Sequence, residues 1–202
     1  MKFTVRFEKI LAFTRPDHVL YDLCCDHGLM GLKALLQNRA SAVHFVDQSE
    51  NALKALRSDL TVLPDDLQSK AFVHCMPAED CVLLDQPSDF IIAGVGIQTC
   101  MSIISAVFPQ GLGQHRLIIA PQQKSQVLRK FLMDRNFRLF DETVTVERQR
   151  FREIIVVESE GDTIDLYGHR FRTRTDAESI AFVQHLDQYY AEISKKKSID
   201  SK

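Results

Sequence analysis

Residues 18–29 read HVLYDLCCDHGL, and this stretch decides the fold. The apolar run from His18 to Leu23 predicts a short buried strand, and the polar residues that follow it, ending in Gly28, predict a loop. Residues 29–36 have helical composition. A strand, a loop and a helix in this order form the repeating unit of a parallel sheet.

The same alternation continues on both sides of this stretch. An apolar stripe from Phe3 to Leu11, ended by Pro16, predicts an opening helix. Further strands are predicted at 42–46, 71–75, 90–93 and 116–120, with helices at 49–60, 99–108 and 124–135. Two β-rich runs, 137–146 and 151–158, have only a polar turn between them and predict an antiparallel hairpin. We therefore expect an α/β fold: a doubly wound, mostly parallel, seven-stranded sheet that ends in a hairpin.

The chain of 202 residues has room for one full domain and a small addition. We predict a main domain at 1–160 and a short C-terminal helical appendage at 161–202. Apolar residues spaced by three or four between Ile180 and Ile193 predict the helix of this appendage. Three alternatives explain its apolar stripe: the helix packs on its own domain, contacts another subunit or contacts RNA.

Composition excludes several classes of protein. Lys and Arg number 25 against 27 Asp and Glu, so binding to nucleic acid would need a local basic patch. The five cysteines form no C-x-x-C pair, which argues against zinc, and reduced thiols favour the cytoplasm. The longest apolar runs are far shorter than the roughly 20 residues of a membrane span. We expect a cytoplasmic protein with no metal and no membrane segment.

Acidic residues follow the first two predicted strands. Asp22 closes the first strand, and Asp47 closes the second, 25 positions later. A carboxylate at this second position can accept hydrogen bonds from both hydroxyls of a ribose. The first loop lacks the G-x-G-x-x-G pattern of a dinucleotide site, and its carboxylates would repel the pyrophosphate of NAD. They suit the cationic cofactor S-adenosylmethionine instead.

The fourth and fifth strands end in residues that could contact a ligand. Gly94 and Gly96 allow close approach of a ligand to the backbone, although a plain turn would also use glycine. Pro121 fixes the turn after the fifth strand, and the amide of Gln122 could read a base edge or cap a helix.

Six motifs carry a resemblance to a known family. They are D-L-C-C-D-H-G-L at 22–29, F-V-D at 45–47, I-A-G-V-G at 92–96, L-I-I-A-P-Q at 117–122, L-R-K-F-L at 128–132 and F-R-E-I-I-V-V-E at 151–158. In this order they resemble the bacterial tRNA (adenine-22 N1)-methyltransferases, typified by D-I-G-S-D-H-A, A-G-M-G-G, L-I-L-Q-P-N, L-R-x-W-L and Y-E-x-x-x-x-E. The resemblance implies a Rossmann-like class I methyltransferase that uses S-adenosylmethionine and acts on tRNA.

The resemblance also implies roles for individual residues. It assigns eight residues to cofactor binding: Asp22, Cys24, Gly28, Asp47, Gln48, Ala78, Glu79 and Gly94. Asp26 and His27 match the Asp-His pair of the family and would be catalytic, although Asp26 could instead cap the following helix. Substrate would contact Arg6 and Arg129, and we add Gly96, Pro121 and Gln122 from the strand ends.

The chain also departs from the family motifs. Cys24 stands in place of the loop glycine, Ile97 in place of the last glycine of A-G-M-G-G, and Gln122 in place of asparagine. Two alternatives to a tRNA methyltransferase therefore stay open. One is a methyltransferase-like RNA-binding module that has lost catalysis, and the other is a methyltransferase for another RNA or a small molecule.

Two basic stretches could supply the patch that RNA requires. The first comprises Arg148, Arg150 and Arg152 in the predicted hairpin, and the second comprises His169, Arg170, Arg172 and Arg174. We predict that the hairpin arginines bind the RNA backbone. The alternative is a solvated strand edge that prevents aggregation.

Overall fold

The computed structural model describes residues 4–123 and 125–199. Its centre is an eight-stranded sheet with the order β3-β2-β1-β4-β5-β7-β6-β8. The strands are β1 Val19–Leu23, β2 Ala42–Asp47, β3 Ala71–Cys75, β4 Ser88–Ala93, β5 Arg116–Ala120, β6 Arg138–Glu147, β7 Arg150–Glu158 and β8 Asp162–Thr163. Strands β1 to β5 run parallel to one another, whereas β7 is antiparallel to β5 and β6, and β8 is antiparallel to β6.

Helices cover both faces of the sheet. They are α1 Val5–Leu11, α2 Leu29–Leu36, α3 Glu50–Leu60, α4 Asp65–Gln68, α5 Ile97–Val107, α6 Ser125–Asp134 and α7 Ala177–Ile199. One core packs α1, α2 and α3 against Leu20, Phe45 and Ile91 of the sheet. The other core packs α5 and α6 against the opposite face. The sheet is therefore buried on both sides, as continuous apolar strands require.

The predicted α/β fold is confirmed, with two additional elements and an earlier start of the last helix. Strand β8 is an eighth strand of two residues, and α4 is a short helix that contains no buried residue. Helix α7 begins at Ala177, ahead of the predicted Ile180. Elements without a buried apolar stripe leave no periodic pattern in the sequence, which explains why β8 and α4 were not predicted. Phe3 and Lys124, where two of the predicted helices begin, lie outside the described residues.

The hairpin of β6 and β7 reaches the edge of the sheet where the parallel strands end. Its turn places Arg148 and Gln149 in the left-handed region, with φ of 47° and 62°. Ile119 of β5 pairs with Ile155 of β7. Because these two strands run antiparallel, the first residues of β7 extend past the carboxyl end of β5.

The C-terminal appendage packs on the hairpin. Phe171, in the 3-10 turn His169–Thr173, and Phe182 of α7 form a small buried cluster with Val144 of β6. The described side chains at the start of α7 therefore pack on their own domain, one of the alternatives left open by the sequence. The domain boundary at 160 stays a prediction.

Candidate active site

A cavity of about 720 Å³ opens at the carboxyl ends of the parallel strands. Loops after β1, β2, β3 and β4 contribute to its lining, and α1 contributes one wall. The predicted site residues that line it are Arg6, Asp22, Cys24, Asp26, His27, Asp47, Gln48, Ala78, Glu79 and Gly94. The structure thus brings together residues that are up to 88 positions apart in the chain (94 minus 6).

The loop after β1 is shaped by left-handed residues. Cys24, Asp26 and Gly28 have φ of 57°, 53° and 68°. Residues with a Cβ rarely adopt this conformation, and aspartate tolerates it better than most. Cys24 therefore adopts the kind of backbone conformation that glycine would adopt more easily, and the missing glycine does not prevent the turn. The loop is tied to β2 by a hydrogen bond of 3.1 Å from the Cys25 amide to the Val46 carbonyl.

Asp47 connects the first two loops. Its Oδ2 accepts a hydrogen bond of 2.8 Å from the backbone N–H of Asp26, and its Oδ1 accepts one of 2.8 Å from the backbone N–H of Ser49. A carboxylate oxygen can accept two hydrogen bonds. Each oxygen of Asp47 can therefore accept one more donor from the cavity that it lines.

Asp22 lies at the bottom of the cavity with only 4% of its surface exposed. Its Oδ2 accepts a hydrogen bond of 3.0 Å from the Gly31 amide in α2. Burial raises the pKa of Asp22 to about 7; the Gly31 hydrogen bond opposes this shift, and the charge of Asp47 adds to it. A cation placed beside Asp22 would favour its ionised form.

Asp26 and His27 stand at the open side of the cavity. Their side chains are 74% and 57% exposed, and 3.7 Å separates Oδ1 of Asp26 from Nε2 of His27. Helix α2 begins after Gly28, and the Gly31 amide in its first turn donates to Asp22, whereas none of the described helix amides donates to the Asp26 carboxylate. The alternative that Asp26 caps this helix is therefore wrong, and its carboxylate is available to a ligand.

The thiol of Cys24 is not a nucleophile at neutral pH. Burial raises its pKa to about 12, and the negative charges of Asp47 and Glu79 add to that shift. The reactive form of cysteine is the thiolate. Cys24 is therefore a small, neutral part of the cavity lining.

Arg6, Phe7 and Ile10 form the side of the cavity contributed by α1, which we call the α1 wall. Nη2 of Arg6 donates a hydrogen bond of 2.6 Å to the Ala120 carbonyl, and Nη1 lies 3.4 Å from Oε2 of Glu147. Nε of Arg6 is buried and has no hydrogen-bond partner in the described part of the chain. The contacts of Nη1 and Nη2 hold the guanidinium against β5 and β6.

Sequence reasoning missed part of the lining. Phe7, Ile10, Met30 and Thr99 line the cavity, but the apolar stripe of α1 indicated only packing on the core. Periodicity shows that a helix has a buried face, but it does not show where that face meets a cavity rather than another side chain. No motif in the sequence would have separated these residues from ordinary core residues.

Several residues predicted to contact cofactor or substrate lie outside the cavity lining. Gly28 is buried and outside the lining, and a Cβ on it would lie 2.6 Å from Leu56. A glycine is therefore needed at this position for close packing and for the positive φ. Gly96 and Pro121 also lie outside the lining. Gln122 donates a hydrogen bond from Nε2 to the Gly94 carbonyl, which places its side chain at the rim of the cavity.

The prediction that Arg129 binds substrate is wrong. Its side chain is 1% exposed and pairs with the carboxylates of Glu142 and, at 2.7 Å, Glu153. Its third partner is the Asp165 carbonyl, to which Nη1 donates a hydrogen bond of 3.3 Å. An interior guanidinium with these partners joins α6 to the hairpin and to the segment before α7. It cannot reach RNA.

Of the two basic stretches, only the one in the hairpin is free of ion pairs. Arg148 and Arg150 are exposed and have no ionic partner in residues 4–123 and 125–199. Arg152 donates to the Gln122 carbonyl at the rim. In the second stretch, Arg170 pairs with Asp141 and Asp162, Arg172 with Asp187, and Arg174 with Asp141. Its positive charge is largely neutralised.

Among the described residues, no group of three or more histidine, cysteine, aspartate or glutamate side chains is arranged to hold a metal ion. No described helix is both long enough and apolar enough to cross a bilayer.

Fold and site together define a methyltransferase. The family model described as a methyltransferase domain matches residues 3–155, and the chain belongs to this family. No curated protein matches the chain in a sequence comparison.

Solved structures with the same fold include several methyltransferases. One is the B. subtilis M1A22 tRNA methyltransferase TrmK, with a TM-score of 0.78, 21% identity, and coverage of 98% of this chain and 86% of that one. Another is M. capricolum TrmK in complex with S-adenosyl-homocysteine, with a TM-score of 0.74, 14% identity and coverage of 96% and 87%. The glycopeptide N-methyltransferase MtfA, complexed with S-adenosyl-L-methionine, has a TM-score of 0.59, 11% identity and coverage of 77% and 86%.

Proposed function

We propose that this protein transfers a methyl group from S-adenosylmethionine to N1 of an adenine in tRNA. One observation supports it above the others: a single cavity is lined by Asp22, Asp47, the exposed Asp26-His27 pair and Arg6 of the α1 wall. The solved tRNA methyltransferases that share the fold over nearly the whole chain favour tRNA as the substrate.

The residues of the cavity fit the cofactor. S-adenosylmethionine supplies a methyl group activated by a sulfonium centre. Asp47 has free acceptor positions for ribose hydroxyls, and buried Asp22 favours a nearby cation. Ala78, Glu79 and Gln48 line the adjoining part of the cavity, where we expect the adenine of the cofactor. Gly94 lines the cavity as well, and it is exposed, with open space where a Cβ would stand.

The proposed reaction requires placement and charge rather than a strong base. N1 of adenine has a lone pair at neutral pH, so it can attack a methyl group directly when the two are in line. The base becomes cationic as it gains the methyl group. The carboxylate of Asp26 can stabilise this charge and accept a hydrogen bond from the adenine amino group. We assign His27 to orienting Asp26, since their side chains lie 3.7 Å apart.

RNA must present an unstacked base to this cavity. The Watson–Crick edge of a paired adenine is blocked, so the target has to leave its stack. The hairpin arginines lie at the same edge of the sheet as the cavity, and the Arg152 side chain reaches its rim. We assign Arg148, Arg150 and Arg152 to the tRNA backbone. A tRNA substrate would place the reaction in the cytoplasm.

The proposal is tested by incubating the protein with unmodified total tRNA and isotope-labelled S-adenosylmethionine. Mass spectrometry of the digested RNA should show label in 1-methyladenosine, at one position of specific tRNAs. Label in another nucleoside would reject adenine N1 as the acceptor. Tight tRNA binding without any label would favour the RNA-binding module that has lost catalysis.

We expect cofactor binding to depend on pH through Asp22. Because its pKa is raised to about 7 in the free protein, Asp22 is mostly ionised above this pH and mostly neutral below it. Affinity for the cationic end of S-adenosylmethionine should therefore fall about tenfold or more between pH 8 and pH 5.5. Calorimetry at both pH values measures this. Asp22→Asn keeps the acceptor for the Gly31 amide and should largely remove the pH dependence; an equally steep profile in this variant would contradict the assignment.

We expect the hairpin arginines to control the salt dependence of tRNA binding. Replacing Arg148, Arg150 and Arg152 with Gln should weaken binding and reduce the slope of log K against log salt by about two to three, because each phosphate contact releases counterions. The matched control replaces Arg170 and Arg172 with Gln, since aspartates already neutralise both. Filter binding between about 50 and 200 mM salt measures both slopes. Equal slopes in the two variants would mean that the hairpin is only a solvated edge.

A further inference from the structure

The α1 wall depends on contacts outside its own helix. Helix α1 has seven residues, and a helix this short is not stable alone in water. It nevertheless presents Arg6, Phe7 and Ile10 to the cavity. The position of these side chains therefore depends on what holds α1 against the rest of the protein.

One group of contacts links α1 to both the hairpin and the appendage. Nζ of Lys9 donates a hydrogen bond of 2.7 Å to the Val144 carbonyl in β6 and pairs with Oε2 of Glu178 in the first turn of α7. Oε1 of Glu178 accepts hydrogen bonds of 3.2 Å from the Val146 amide and 3.3 Å from the Thr145 hydroxyl. Glu178, which belongs to α7, therefore contacts both α1 and β6.

The same short segment of β6 also holds the cavity arginine. Glu147 follows Val146 directly, and its Oε2 lies 3.4 Å from Nη1 of Arg6. Arg6 and Lys9 are three residues apart in α1 and so lie on the same side of the helix. Residues 144–147 of β6, Glu178 and α1 are thus connected by hydrogen bonds and ion pairs, and this network includes Arg6 of the cavity lining.

We infer that Glu178 is a positioning residue for the substrate half of the cavity: the C-terminal appendage, through Glu178, holds the α1 wall and Arg6 against the hairpin so that the target base meets a preformed surface. This inference rests on the proposed function. The cofactor half does not share the dependence, because Asp22, Asp47 and Glu79 come from the strand ends and their loops. Loss of Glu178 should therefore affect tRNA and not S-adenosylmethionine.

The first test separates substrate binding from stability. Glu178→Gln keeps an oxygen acceptor for Val146 but loses the ion pair with Lys9, whereas Glu178→Ala loses both. We expect KM for tRNA to rise about three- to tenfold in Glu178→Gln and more in Glu178→Ala, with kcat changed less and with the Kd for S-adenosylmethionine unchanged. Asp187→Asn is the matched control, because it removes another ion pair of α7, with Arg172, that does not involve α1.

A double-mutant cycle tests whether Glu178 acts through Lys9. If it does, Lys9→Met combined with Glu178→Gln should raise KM little more than either change alone. Simple additivity of the two effects would show that Glu178 does not act through α1. A Kd for S-adenosylmethionine that worsens in step with KM and with the melting temperature would show only a loss of stability. Either result would overturn the inference.

A fluorescence measurement tests the inference without tRNA. The chain contains no tryptophan, so Phe7→Trp introduces a single reporter in the α1 wall. We expect acrylamide to quench this reporter more strongly when Glu178→Gln is added, and equally when Asp187→Asn is added. Equal quenching in all three backgrounds would contradict the inference. Failure of tRNA methylation in the unaltered protein would instead contradict the proposed function, while this measurement would still report on the α1 wall.

Discussion

Asp26→Asn is expected to lower the single-turnover rate of methyl transfer by about ten- to a thousandfold, which corresponds to about 1.4 to 4 kcal/mol of transition-state stabilisation. The carboxylate is exposed to the cavity, and no helix amide in the described chain uses it as a cap. Asparagine has nearly the same shape and also tolerates the left-handed backbone at this position, where φ is 53°. The main change is therefore the loss of negative charge beside a base that becomes cationic.

The measurement is a rapid-mixing assay with saturating enzyme and cofactor. Binding of S-adenosylmethionine and of tRNA is measured in parallel and should stay within about threefold of the unaltered protein, since a loss confined to the transition state leaves ground-state affinity intact. Full activity in Asp26→Asn would remove Asp26 from the chemical step. A parallel loss of tRNA affinity would give it a role in binding instead.

Asp47→Ala should weaken the binding of S-adenosylmethionine by about a hundredfold or more, or at least 2.7 kcal/mol by the usual relation between affinity and free energy. Two effects combine here. The variant loses the acceptors proposed for the ribose hydroxyls, and it also loses the acceptor of the Asp26 amide, which helps to shape the first loop. The rise in melting temperature that the cofactor causes in the unaltered protein should mostly disappear.

Asp80→Asn provides the control for Asp47→Ala. Asp80 is an exposed acid in the loop after β3, next to the cavity residue Glu79 but outside the lining. The Asp80→Asn variant should therefore keep the full increase in melting temperature that the cofactor causes. An unchanged shift in Asp47→Ala would refute the ribose assignment, and a shift caused by NAD in the unaltered protein would refute the choice of cofactor.

The positions of the site acids could be predicted because they follow from topology. In a parallel sheet, the carboxyl ends of neighbouring strands meet at one edge, so Asp22 and Asp47 had to come together once the strands were recognised. The hairpin was equally predictable, because its two β-rich runs have only a short polar turn between them.

Burial of individual polar residues could not be predicted in the same way. Arg129 matches a family motif, but its partners Glu142 and Glu153 come from strands that follow it in the chain, and only their packing shows that the guanidinium is interior. Gly28 has a related explanation, since its lack of a side chain is required by Leu56 of α3. Both cases depend on side-chain contacts between distant segments, which a single sequence does not display.

The hydrogen bond between the Asp26 amide and Asp47 has a consequence for how such a site can diverge. A substitution at Asp47 that suited a different cofactor would also release the backbone of residue 26, and so disturb the chemistry of the first loop. Residues in one hydrogen-bonded network are not independent in their effects. Across evolutionary time, cofactor choice and catalytic geometry in this protein are therefore constrained to change together.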